Sequence, residues 1–160
     1  MKIKEERKIF ITSDQHFFHK NIIRYCNRPF KSYQEMNEEM IKRWNDVVGK
    51  NDIVIYLGDF AFRNKAKDIR PKLNGIIILI RGNHDKYISK EDDIFVIEGS
   101  LKIYNLILSH EPLSKKEIPN GYINIHGHIH NKKSYNGINV SVEMTDYKPV
   151  SIDSLIVVNK

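Results

Sequence analysis

A single cysteine, Cys26, in 160 residues excludes an internal disulfide and fits a reducing compartment. No apolar run is long. Stretches such as Ile76 to Ile80 stop far short of the roughly 20 residues that span a bilayer. The start carries no secretory pattern, because Met1 to Lys8 is charged and the apolar stretch behind it is brief. Repeats, linkers and low-complexity segments are also missing. These absences leave the expectation of a soluble, cytoplasmic protein, with residues 1–160 forming one domain large enough to bury a core. Acidic residues are in the minority, 20 against 26 Lys and Arg, for a net charge of +6. Scattered lysines read as solvated surface. Lys132 and Lys133 differ, because they directly follow His130 and would draw anions towards it, so an anionic small molecule fits better than DNA.

What the chain does have is a repeated pairing of a short apolar run with residues able to bind a metal. Ile9 to Ser13 leads into Asp14-Gln15-His16, Val54 to Leu57 into Gly58-Asp59, and Ile76 to Arg81 into Gly82-Asn83-His84-Asp85. Leu106 to Ser109 leads into His110, and Tyr122 to Ile125 into His126-Gly127-His128-Ile129-His130. Short β-branched runs read as buried strands, and in such sheets ligand groups collect on loops beyond the strand ends. Most of the seven histidines fall in these groups. Alone, each group has a plain explanation as a turn; together they describe a cage with room for two ions. On an extended backbone, the i,i+2 spacing of His128 and His130 would aim both rings the same way.

Between the first two groups lies a helix signal. Ser32-Tyr33-Gln34-Glu35 reads as a capping box, Gly49 as the closing residue, and Met36, Met40, Trp44 and Val47-Val48 as a core-facing stripe. Asn136-Gly137 reads as a hairpin turn, with further strands from Ile138 to Val158. The order of elements predicts a layered α/β domain, sheet inside and helices outside.

In order along the chain, D-x-H, G-D, G-N-H-D, a lone His and G-H-x-H span Asp14 to His130. This set resembles the calcineurin-like metallophosphoesterase superfamily in its small bacterial or phage form. The resemblance implies a β-sandwich flanked by helices, an αββα-like architecture. It implies one ion held by Asp14, His16, Asp59 and His130, and a second held by Asp59, Asn83, His110 and His128. The imidazole-rich set suits transition metals, manganese first, with iron, zinc, nickel or cobalt as alternatives. With only two charged ligands, Asp14 and Asp59, such a centre keeps a surplus of positive charge for a phosphate ester. The implied reaction is hydrolysis of a small, nucleotide-like phosphodiester or phosphomonoester by metal-activated hydroxide. His84 resembles the family histidine that protonates the leaving oxygen, and Asp85 would orient it. Arg63 lies where related protein phosphatases place a phosphate-binding arginine in G-D-x-x-D-R-G. The intermediate Asp and following Gly are absent here, so Arg63 is a phosphate contact or a surface residue. His19 and Asn21 are candidates for lining the pocket, Arg28 a weaker one, and His126 reads as a packed histidine. A nuclease of the same fold is the second reading, and a non-catalytic scaffold like the retromer subunit of this fold the third. The sequence gives no oligomeric state and no membrane partner.

Overall fold

The computed structural model describes residues 6–156. Strands β1 (Ile9–Thr12), β2 (Ile53–Tyr56), β3 (Ile76–Ile80) and β4 (Phe95–Ile97) are parallel, and β9 (Val150–Ser151) closes the β1 edge antiparallel, giving the order β4-β3-β2-β1-β9. A second sheet has the order β5 (Ser100–Ile103), β6 (Leu106–Ser109), β7 (Ile123–His126), β8 (Gly137–Asn139). Helices α1 (Lys20–Tyr25), α2 (Tyr33–Val47), α3 (Ala66–Ile69) and α4 (Ile152–Ile156) flank the sheets.

The period of two along each strand divides the core. Val54 and Tyr56 of β2 pack on one side with Met36, Met40 and Trp44 of α2. Ile55 and Leu57 pack on the other with Leu106, Leu108 and Ile125 of the second sheet. Both faces of the first sheet are therefore buried, which is why its strands read as unbroken apolar runs. The parallel register has a functional consequence: β1, β2 and β3 all end at the same edge, delivering their following loops to one place.

Ser32 caps α2 as expected, its Oγ accepting from the Glu35 N–H at 3.1 Å. The Glu35 carboxylate accepts instead from the Lys31 N–H, at 2.6 Å, so the box is shifted by one residue. Gly49 does not close the helix in a left-handed turn; Val48 ends it in extended conformation and the Gly49 N–H goes to Asp52 Oδ2. The hairpin expected at Asn136-Gly137 is also absent. β7 and β8 run parallel, so residues 127–136 form a crossover, and the excursion that returns the chain carries the histidine cluster. Beyond β8 the described residues supply a short helical turn at Val142–Met144, the two-residue β9 and then α4, where more strand was expected; Val157 and Val158 lie outside the described residues. Among the described residues, no helix is long and apolar enough to cross a membrane.

Trp44 anchors the helix layer: it is fully buried, lies against Tyr56, and donates its indole N–H to Asn74 O at 3.0 Å. Trp44→Ala is expected to cost about 3–5 kcal/mol, measured as the change in urea unfolding free energy.

Candidate metal centre

The loops after β1 and β2 are locked together before any side chain is considered. Asp14 N–H donates to Gly58 O and His16 N–H to Asp59 O, each at 3.0 Å, extending the parallel pairing past the strands. Gly58 (φ 96°) is required where these loops meet the next one. A Cβ there would lie 2.5 Å from His110 Nδ1 and 2.7 Å from Gly82 Cα. Gly127 has no room for a Cβ either, which would overlap Ser13 Oγ and Asp14 Oδ2. Asp14, His16, Asp59, His128 and His130 all adopt left-handed φ between 50° and 69°. Backbone of this kind is costly for non-glycine residues and concentrates at functional sites.

Two groups of ligand atoms result: Asp14, His16 and His130, and Asp59, His110 and His128. Asp59 lies between them, its Oδ2 3.4 Å from His16 Nε2 and 3.5 Å from His110 Nε2. Burial alone would raise the Asp59 pKa; His16, His110 and the His84 N–H outweigh it and bring it to about 2, so the carboxylate is ionised. His110 Nδ1 lies 2.7 Å from Leu57 O and donates to it, so Nε2 is the nitrogen that a neutral ring offers to an ion. That nitrogen faces Asn83 Oδ1 at 2.8 Å and His128 Nδ1 at 3.1 Å. With both rings neutral, these atoms can turn lone pairs towards a common point, an arrangement that suits a divalent ion. The first group gives the same sign: Asp14 Oδ1 and His16 Nε2 are buried without a hydrogen-bond partner. The donor set and these orphaned atoms fit divalent transition-metal ions.

The expected parallel aim of His128 and His130 is not what brings them in. Ile129 N–H bonds to Gly127 O in a tight turn, and the two rings enter different groups. Asp85 also differs from expectation. Its Oδ2 accepts from the Asp59 N–H at 2.7 Å and the Gly82 N–H at 2.8 Å, and its Oδ1 from the Phe60 N–H at 2.8 Å. No hydrogen bond joins Asp85 to the His84 ring; three buried amides needed the carboxylate more than an exposed imidazole did. Asp85 is fully buried, and that burial holds its pKa above the usual carboxylate range. His84 itself is exposed, with its N–H on Asp59 Oδ1 at 2.9 Å and its ring 5.3 Å from that of His16.

Two cavities meet at the shared His16, His19 and His84, one of about 370 Å³ towards Phe62, Arg63, Lys86 and Tyr87, the other of about 330 Å³ towards Tyr25, Ile129 and Lys132. His19 stacks on Phe62 with ring centroids 4.9 Å apart. Burial first, then His16 and His84, lower its pKa to about 4, so His19 brings a neutral ring, not a charge, to the groove. Arg63 is exposed beside the first cavity, its guanidinium 5.1 Å from the Phe62 ring centroid. Asn21 lines a different cavity, with Tyr33 and Lys31. His126 is fully buried, bonded to Gly127 O and Ser134 Oγ. Three supporting residues gave no sequence signal. Ser141 donates to Asp14 Oδ2 at 2.9 Å, Glu143 lies 3.1 Å from His130 Nδ1, and Cys26 packs beside them.

The chain matches the calcineurin-like phosphoesterase model over residues 7–158. It belongs to that family. Among relatives of this calcineurin-like phosphoesterase is the uncharacterized protein MJ1445 of Methanocaldococcus jannaschii, 47% identical, with 94% of this chain and 90% of that protein covered. The crystal structure of AQ665 from Aquifex aeolicus, a protein of unknown function, superposes with a TM-score of 0.76 at 26% identity, covering 95% of this chain and 99% of that one. The nuclease MPE of Pseudomonas putida shares the fold, with a TM-score of 0.55 at 24% identity over 78% of this chain and 62% of that one.

Manganese(II) added to metal-free protein is expected to raise its melting temperature. At a hundredfold excess over the dissociation constant, a single site contributes about 2.7 kcal/mol. His16→Ala should remove part of that gain; an unchanged gain would detach His16 from the ion.

Proposed function

We propose that this calcineurin-like phosphoesterase hydrolyses a small, nucleotide-like phosphodiester with two divalent ions, and that manganese is the first ion to test. Asp14, His16, Asp59 and His130 would hold one, and Asp59, Asn83, His110 and His128 the other. When bound, the pair would supply Lewis acidity, lowering the pKa of a water and offsetting charge on the phosphoryl oxygens. The carrying observation is the arrangement around Asp59, where two ligand groups meet at one ionised carboxylate.

The rest of the reading concerns the chain's own groups. His84, held through its N–H by Asp59, stands at the junction of the two cavities, where it can give a proton to a departing alkoxide. Space on both sides of that junction favours a diester, which carries a substituent on each side of the phosphate. Exposed Phe62 and Tyr87 on one side and Tyr25 on the other offer ring faces to a base. Among the described residues no buried guanidinium is free to clamp a dianionic monoester, because Arg28 is committed to Glu143 and to main-chain carbonyls. A cytoplasmic setting fits the single buried thiol of Cys26.

The second reading is a nuclease, the activity named for the Pseudomonas putida neighbour. Arg63, Lys86 and Lys132 around the groove favour it, since all are exposed cations. Salt separates the two: turnover of a polynucleotide falls steeply with ionic strength, whereas that of a small diester does not.

His84→Asn is expected to slow hydrolysis of a dinucleotide by about 10²–10⁴-fold. It should slow bis-nitrophenyl phosphate far less, because nitrophenolate leaves without a proton. Metal content, measured on the same sample, should stay at the wild-type level; equal losses on both substrates at full occupancy would remove the proton-donor role. Tyr25→Ala and Phe62→Ala should each raise KM for the dinucleotide, and leave KM for inorganic-like methyl esters unchanged. Steady-state kinetics on both substrates checks this.

A further inference from the structure

The most unusual buried feature outside the ligand set is a charge pair that serves no packing purpose. Arg28 has a side chain with 0% exposure and Glu143 one with 3%, their closest approach being 2.7 Å. Burying two such charges is expensive, and replacing a pair of this kind by apolar residues is often neutral or stabilising. Stability therefore does not account for it. Its connections do. Arg28 Nη2 donates to Asp14 O at 2.6 Å and Nη1 to Gln15 O at 2.7 Å, so the guanidinium grips the main chain that carries Asp14 and His16. Its Nε and Nη2 both donate to Glu143 Oε1, and the same oxygen lies 3.1 Å from His130 Nδ1. Resting on the two-ion reading above, we propose that Arg28 and Glu143 are positioning residues that tie the Asp14–His16 loop to His130 and so set the affinity of the first ion.

The chemistry is specific. An ionised carboxylate can only accept, so it keeps a hydrogen of His130 on Nδ1 and makes Nε2 the nitrogen that an ion would take. The short helical turn Val142–Met144 that carries Glu143 is itself fastened to the site. Ser141 Oγ donates to Asp14 Oδ2 at 2.9 Å, and Asn139 Nδ2 donates to His130 O at 2.6 Å. One segment of the second sheet's edge therefore holds both halves of the first ligand group. Cys26, His130 and Glu143 also lie close enough together to suggest a third ion. The guanidinium already bound to Glu143 opposes a further cation there, and the cluster supports a ligand instead of forming a site.

The test is calorimetric titration of metal-free protein with manganese(II) chloride, resolving the two ions. Glu143→Ala is expected to weaken one ion by about 10–100-fold and leave the other at its wild-type affinity. Glu143→Gln, which keeps an acceptor for His130, should recover part of that loss. Because Glu143→Ala leaves the buried Arg28 without a counter-charge, the double variant Arg28→Met with Glu143→Leu provides a folded comparison, verified by circular dichroism. It too should lose one ion by about 10–100-fold. Wild-type affinity for both ions in the folded double variant, or equal weakening of both, would overturn the positioning role while leaving the two-ion reading in place. Wild-type protein that binds fewer than two ions would overturn both.

Discussion

Two carboxylates buried at the ends of neighbouring parallel strands are the constraint on which this molecule is organised. Asp14 and Asp59 are 0% and 2% exposed, and neither can stay ionised there without compensation. The surrounding loops supply most of it. Asp14 Oδ2 accepts from Ser141 and from the His128 N–H, and Asp59 Oδ1 from the His84 N–H. One oxygen of each acid is left facing imidazole nitrogens, and that remainder makes a site of what would otherwise be a folding defect. The left-handed backbone at five ligand residues is the cost of aiming short side chains inward from loops this tight.

Much of this was legible in the sequence because strand ends are marked by composition. A buried parallel strand is mostly apolar, so the polar residues that follow the run report where the sheet stops. Asp14, Asp59, Asn83 and His110 could be placed in this way. The helix over Tyr33–Val47 was equally plain, because a cap and an apolar stripe are both local signals. The part that failed was decided by tertiary partners. Asn-Gly favours a hairpin when nothing else competes, but β8 pairs parallel to β7 and the chain must cross over first. Asp85 looked like a partner for His84 because the two are adjacent, yet three buried amides, two from the loop after β2 and one from its own loop, claimed its oxygens.

Arg28 and Glu143 mark the limit more sharply. They are 115 residues apart, and neither stands in a patterned context. A buried ion pair is a property of two distant positions at once and leaves no mark on either taken singly. The candidate ligands could be read because each group of them directly follows a strand; the scaffold that orients them has no such announcement. Support of this kind is visible only as geometry.

Since Asp14 and His16 follow the first sheet while His130 follows the second, an ion held by all three spans the interface between layers. The second group divides in the same way, Asp59 from one sheet and His110 and His128 from the other. Neither layer carries a complete coordination shell. In a chain with one thiol, and so no covalent cross-link of its own, bound ions would act as reversible rivets between the sheets. With both ions bound, a motion that slides one sheet over the other would have to strip them together, which would make chemical competence and the docking of the two layers a single property.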